Sequence, residues 1–165
     1  MYEIDRNEYY WLMGYVRASR RVDRQIKTIV EFGPGESTKA FTDAGASVTS
    51  YEFDLSRVEK AREAIRRYTA FALVYGVVGG VESIPMPRCD MVFVDAPVGG
   101  SEPLAWLKTC EWGILACGHV LLHDAGRQEE QNIIKILASR YPMDVEIFEY
   151  GRKTAIMKTN ELVIR

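Results

Sequence analysis

Short apolar runs and longer stretches with one apolar face alternate along the chain. The first segment has Asp5 in an N-cap position with Glu8 three residues on, then Tyr9, Leu12, Met13 and Val16. That spacing predicts an amphipathic helix with a capping box. KTIVEF reads as a first strand, STKAFTDA as a brief helix closed by Gly45, and ASVTSYEF as a second strand. SRVEKAREAIRRY puts Val58, Ala61, Ile65 and Tyr68 on one helical face, with charges elsewhere. FALVYGVV is a third strand. DMVFVDAP is a fourth, nearly all apolar as in a parallel strand covered on both faces. Ser101-Glu102-Pro103 opens a helix with proline at its first position, running through Leu104, Leu107 and Ile114. HVLLHDA is a fifth strand, and EEQNIIKILASRY is a helix stopped by Pro142. VEIFEY and TAIMKT, around a turn at Gly151-Arg152-Lys153, close the chain as a hairpin.

This order predicts an α/β fold: a single doubly wound, Rossmann-like domain with a mostly parallel seven-stranded sheet and an antiparallel C-terminal hairpin strand. With no repeats, low-complexity tracts or linkers, 1–165 reads as one domain. It has an N-terminal helical segment over 1–24 and the Rossmann-like core over 25–165. Ligands of such sheets lie beyond the carboxyl ends of the strands, at the switch point. That selects 31–36, 52–54, 95–100 and 123–127, each with an acidic group. The environment is poor for a polyphosphate and suits ribose hydroxyls, a cationic cofactor or a metal.

Composition narrows the partners. A chain of 165 residues, 47% hydrophobic and 27% charged, is an ordinary globular sequence with room for a full core. A net charge of −2 gives no global attraction to nucleic acid or an anionic membrane, although Arg17, Arg20, Arg21 and Arg24 form a local basic cluster. No apolar run approaches the roughly 18 residues of a membrane span. Residues 1–11 carry charges where a secretion signal would be apolar, so a cytoplasmic location is expected. Three cysteines without a CxxC spacing argue against a disulfide framework or a zinc knuckle, and Cys89, Cys110 and Cys117 read as small core residues.

The stretch EFGPGEST, residues 31–38, carries the first chemical signal. Gly33 and Gly35 permit close backbone approach and positive φ, and the helix amides behind them favour an anionic group. A tight strand-to-helix turn needs glycine equally well. The third glycine of the dinucleotide fingerprint is absent, and Thr38 stands there. Glu52 lies 17 positions beyond Gly35, at the end of the second strand. There a carboxylate can accept two hydrogen bonds from a ribose diol, or simply be solvated. The two features on consecutive βα units are more informative together than apart.

EFGPGESTKAF followed by VTSYEFD resembles the class I S-adenosylmethionine-dependent methyltransferases, over roughly residues 28–159. The resemblance implies that Gly33 and Gly35 pack against the methionine part of the cofactor, with Pro34, Ser37 and Thr38 in the same loop. It also implies that Glu31 sits near the cofactor's amino group through water, and that Glu52 and Phe53 meet the ribose side. After the third strand the family offers an acid for adenine. Here GVVGGVESIP puts Gly80 or Val81 in that place, and Glu82 is the nearest substitute.

Within the family, YEFD, FVDAP and LLHDAGR look closest to the O-methyltransferases. Catechol-type members hold a divalent cation with a carboxylate after the fourth strand and an Asp-Asn pair after the fifth. Asp95 and Asp124 match the aspartates, and Ala125 replaces the asparagine. The resemblance therefore implies Asp95 and Asp124 as ligands of a cation such as Mg2+, with waters completing the shell. His123 joins them only if its ring turns toward the site, because adjacent strand residues face opposite ways. More faintly, VDAPVGG and LLHDAGRQEE resemble the glucuronoxylan methyltransferases, which points to a sugar or another small hydroxylated acceptor.

In that reading Asp95, also facing the cofactor, or His123 deprotonates or orients the acceptor hydroxyl, beside Asp124. Arg127 meets an anionic substrate group. The plainer alternatives are His123 as a satisfied strand-end histidine and Arg127 paired with Glu130. His119 reads as structural. Tyr2, Tyr9, Tyr10, Trp11 and Tyr15 either pack on the sheet, as their spacing favours, or form a partial lid.

Other classes of function stay open at this level. One is a non-catalytic cofactor-binding domain or partner subunit whose acceptor site has decayed. Another is a nicotinamide-dependent oxidoreductase, disfavoured by Glu36 and the missing glycine. DAPV lacks the aromatic of the DPPY motif used to methylate nucleic-acid amines. With no separate substrate domain, either the acceptor is small, or a second subunit, as in a homodimer, or another partner completes the pocket.

Overall fold

The apolar runs form strands and the amphipathic stretches form helices. The computed structural model describes residues 4–19, 25–96, 102–149 and 151–160. The elements are α1 (Arg6–Ser19), β1 (Thr28–Phe32), α2 (Glu36–Asp43), β2 (Ser47–Glu52), α3 (Leu55–Arg66) and β3 (Ala72–Gly76). A 3-10 turn at Val81–Ser83 leads to β4 (Met91–Val94), α4 (Pro103–Cys117), β5 (His119–Leu122), α5 (Gln128–Arg140), β6 (Met143–Phe148) and β7 (Thr154–Thr159).

The seven strands lie in the order β3-β2-β1-β4-β5-β7-β6. From β1 the chain moves outward to β2 and β3, then crosses back to β4, so the switch point lies between β1 and β4. The four pairings from β3 to β5 are parallel, while β7 runs antiparallel to both β5 and β6. This is the predicted sheet, with the C-terminal hairpin as its antiparallel end.

Residues of β4 and β5 are buried without exception because helices cover both faces. Their side chains alternate between two cores. Val92, Val94, Val120 and Leu122 pack under α4 and α5 with Phe32 and Trp112. Met91, Phe93 and Leu121 pack on the other face with Leu12 and Val16 of α1 and Phe41 of α2. That alternation carries past the strand ends and places the site. Glu31, Asp95 and His123 continue the row on the α1 and α2 face.

Several sequence readings are sharpened. Gly33 has the expected positive φ of 92°, but Gly35 is extended at −165°, so only the first glycine uses left-handed backbone. Proline opens α4 as expected, and Gly118, at φ 68°, closes it. The third strand is shorter than FALVYGVV, and its edge position leaves Phe71 and Leu73 largely exposed. Cys110 is buried, and Cys89 and Cys117 are half-buried with free thiols. Of the N-terminal aromatics, Tyr9, Trp11 and Tyr15 pack against the core, while Tyr10 is exposed. Trp11 stacks on Phe148 with centroids 4.3 Å apart, and the Tyr15 hydroxyl meets His119 Nε2 at 2.8 Å, the structural role expected of that histidine. Tyr2, Arg20, Arg21 and Arg24, and the stretch 97–101, lie outside the described residues. Among the described residues no helix is long and apolar enough to cross a membrane.

Candidate functional site

The first turn is organised around Glu31, which is fully buried. Ser37 Oγ donates to its Oε1 at 2.5 Å, and Thr38 Oγ1 and Ser50 Oγ donate to Oε2 at 2.5 and 2.6 Å. Burial raises the Glu31 carboxyl to about 7, and the three hydroxyls only partly oppose it. Thr38 Oγ1 also accepts the Gly35 N–H at 3.1 Å. The threonine in place of a third glycine is thus a latch joining loop, strand and helix. Gly33 sits against the end of β4, where an added Cβ would lie 3.0 Å from that of Ala96. Glu31 therefore braces the loop from inside, with both oxygens already accepting hydrogen bonds.

Glu52 is different. It is buried at the end of β2, and its Oε1 accepts the Asp54 N–H at 3.0 Å. It lines a cavity of about 270 Å³ together with Pro34, Gly35 and the α3 residues Arg57, Lys60 and Ala61. A larger cavity of about 620 Å³ opens beside it. Phe53, Val77, Gly80 and Glu82 line one side, and Leu104 and Lys108 of α4 line the other. The Glu82 carboxylate folds over Gly80, occupying the space a Cβ there would take. The sequence-selected Phe53 and Glu82 are thus brought to one pocket, next to Glu52.

The second centre forms where β4 and β5 end. Their register pairs Val94 with Leu122, so the next residues, Asp95 and His123, are neighbours on the same face. His123 Nδ1 lies 2.6 Å from Asp95 Oδ1. The ring did not need to turn toward the site. Strand pairing puts it there, and Asp124 is the residue that turns, with a φ of 58° that swings its carboxylate round. Asp124 Oδ1 comes within 3.8 Å of His123 Nδ1, and Oδ2 binds the Arg127 guanidinium at 2.6 Å. Arg127 also lies 3.7 Å from Glu130, the pairing expected from helical spacing, and Arg152 lies 3.8 Å from Asp124.

The contribution that sequence reasoning missed is Glu8. Read as a capping-box residue, it leaves the cap to Asp5, whose Oδ1 accepts the N–H groups of Asn7 and Glu8 at 2.7 and 2.9 Å. The Glu8 side chain runs inward instead, to place Oε1 2.8 Å from His123 Nε2. The contact is an ion pair rather than an aligned hydrogen bond, since the ring N–H does not point along it. The Thr154 hydroxyl of β7 donates to the same oxygen at 3.3 Å. A signal existed: Glu8, Leu12 and Val16 are the buried stripe of α1 at four-residue spacing. Ser50, Arg152 and Thr154 carried no comparable signal.

Burial alone would lower the His123 pKa, but Asp95 and then Glu8 outweigh it and hold the imidazolium up to about 10. Asp95 is itself raised by burial, in spite of the imidazolium beside it. The centre is thus a buried cation shared between two carboxylates.

Asp95, His123 and Asp124 each offer an atom within 4.8 Å of the others, a cluster of the size a metal ion needs. As arranged, one oxygen of each aspartate is engaged by a cation of the chain, Asp95 Oδ1 by His123 and Asp124 Oδ2 by Arg127. Asp95 and Asp124 each keep a second oxygen with which they would hold a divalent ion.

No family model matches the sequence, and no curated protein is significantly similar to it. Solved structures are similar in fold. The S-adenosylhomocysteine-bound methyltransferase PaMTH1 of Podospora anserina superposes with a TM-score of 0.75 at 16% identity, over 96% of this chain and 80% of that one. A Staphylococcus aureus protein assigned to the caffeoyl-CoA O-methyltransferases gives a TM-score of 0.75 at 16% identity, over 96% and 86%. The chain has the class I methyltransferase fold. A methyltransferase from Geobacter sulfurreducens repeats the match, with a TM-score of 0.70 at 15% identity, over 96% and 81%. At such identities the likeness is one of fold.

Proposed function

We propose that the chain is an S-adenosylmethionine-dependent methyltransferase acting on a hydroxyl group of a small molecule or sugar. The observation that carries the reading is Glu52. It is a buried carboxylate at the end of β2, facing a cavity beside Gly35 at the switch point of a methyltransferase fold. Glu52 accepts the ribose hydroxyls, Phe53 and Glu82 line the adenine side, and Gly33 lets the loop approach the methionine part. When bound, S-adenosylmethionine supplies the methyl group, its sulfonium becoming a neutral thioether. Asp95 accepts the proton of the acceptor hydroxyl as that oxygen attacks. The row of strand-end carboxylates favours the cationic cofactor over a pyrophosphate.

Methyl transfer is an in-line displacement, so holding the two reactants in line provides much of the acceleration. The chain does this by placing Asp95 one strand away from the glycine loop, since β1 pairs directly with β4. The reading takes no step through a divalent ion.

The deciding measurement is a thermal shift. S-adenosylmethionine or S-adenosylhomocysteine at 100 times Kd should add about 2.7 kcal/mol, several degrees in Tm, while NAD adds nothing. Stabilisation by NAD and by neither sulfur compound rejects the reading. Methyl transfer to a panel of hydroxylated compounds and sugars then separates an enzyme from a cofactor-binding subunit. Product should form in the presence of chelator and vanish in Asp95→Asn. Product indifferent to that substitution removes Asp95 from the reaction.

A further inference from the structure

Glu8 has no role in the proposed chemistry so far, yet its position is costly. Its carboxylate sits on the buried stripe of α1, against His123 and Thr154, where a leucine would pack without a desolvation penalty. The side chains of Glu8 and His123 are each 3% exposed and that of Asp95 is 7% exposed. They come from three different elements and form one line: Glu8 Oε1, the imidazole ring, Asp95 Oδ1. The line is buttressed at its far end. Asp5 fixes the first turn of α1, Thr154 donates to Glu8 Oε1, and Gly151 packs so close to Asp5 that a Cβ would lie 2.6 Å from its Oδ2.

We propose that Glu8 is a positioning residue of the site, holding the His123 ring through Nε2 so that Nδ1 holds the Asp95 carboxylate. A ring hydrogen-bonded to Asp95 at Nδ1 and ion-paired with Glu8 at Nε2 is held in one orientation, and neither nitrogen is left to take the acceptor proton. That proton goes to Asp95, whose Oδ1 is committed to the ring and whose Oδ2 is not. His123 is then the residue that aims the base, and the N-terminal helix is part of the active centre rather than a cover over it. This rests on the reading that Asp95 serves methyl transfer, but the hold on the ring is testable without an acceptor.

The chain has two histidines, so ring signals in histidine-labelled protein are readily assigned, with His119→Gln identifying the second set. Wild-type protein should give one set of His123 ring resonances, with slowly exchanging ring protons. Glu8→Gln keeps the size of the side chain and removes its charge. It should move the Nε2 resonance and speed ring-proton exchange by roughly tenfold, the loss of one interaction with a charged partner. Thr154→Val, which leaves every member of the line in place and removes only the buttress, should produce a smaller change of the same kind. His123 signals unchanged in both variants overturn the proposal, as do multiple ring conformers in the wild-type protein. The thermal shift with S-adenosylhomocysteine should be the same in wild-type and Glu8→Gln protein. If it is absent from both while the ring signals respond, the methyltransferase reading fails and the positioning of His123 stands. Once an acceptor is found, Glu8→Gln should lower kcat with KM for both substrates retained, and Glu8→Asp should recover part of the loss. A rise in KM alone would place Glu8 in binding and overturn its role here.

Discussion

Glu31 and Glu52 are both buried carboxylates at strand ends, and their partners give them different work. Glu31 accepts three hydroxyl hydrogen bonds, whereas Glu52 accepts a backbone N–H and faces a cavity. Glu52→Ala should therefore abolish the cofactor-induced rise in Tm while the ligand-free protein still melts cooperatively. A shift equal to the wild-type one would remove Glu52 from ribose binding. Thr38→Val should do the reverse. It leaves the Gly35 N–H without its acceptor and deprives Glu31 of one donor, at a cost of about 1–3 kcal/mol. Denaturant melting should show that loss, with the cofactor shift retained in the folded variant. A Thr38→Val protein as stable as the wild type would mean the latch contributes nothing.

At the scale of elements, α4 is seated by Gly113. A Cβ there would come within 2.8 Å of Val120 Cγ2 and 3.0 Å of Val92 Cγ1, so β4, β5 and the helix meet at van der Waals contact. Gly113→Ala should destabilise the protein by about 1–3 kcal/mol through overpacking, read as a lower denaturation midpoint at unchanged slope. Unaltered stability would show that α4 has room to shift. That contact was not legible in the chain, but much around it was. Buried parallel strands announce themselves as unbroken apolar runs, and the turns and helix stops around them are local, so element order could be read without the structure. The site was legible where it depended on strand ends, as with Glu52, Asp95 and Asp124. His123 was read less well, because local alternation says that residues 123 and 124 diverge. Only the pairing of β4 with β5 and the positive φ at Asp124 bring both carboxylates to the ring. Glu8 fits two local patterns, the capping box and the buried stripe, and its inward course depends on Thr154 at the opposite end of the chain.

For the molecule as a whole, the buried ionisable groups predict how stability varies with pH. His123 is raised from 6.5 to about 10 on folding. Its contribution is complete below 6.5 and is lost as pH rises through 10. Glu31 is raised from 4.5 to about 7, so burial favours its neutral form. A carboxyl raised in this way also stabilises at low pH, below 4.5, and loses that contribution as pH climbs through 7. Both groups bind more protons in the folded protein, and each reduces stability by up to about 1.4 kcal/mol per pH unit inside its own window. The net charge of −2 works in the same sense, because further deprotonation adds to self-repulsion. Thermal melts should therefore show Tm falling continuously from about pH 5 to pH 10, by a few degrees per unit. In Glu31→Gln the part of the decline between 4.5 and 7 should flatten while the alkaline part persists. A Tm that stays level or rises between pH 5 and 9 would mean that these groups keep their ordinary proton affinities in the fold, and the imidazolium at the centre of the site would go with them.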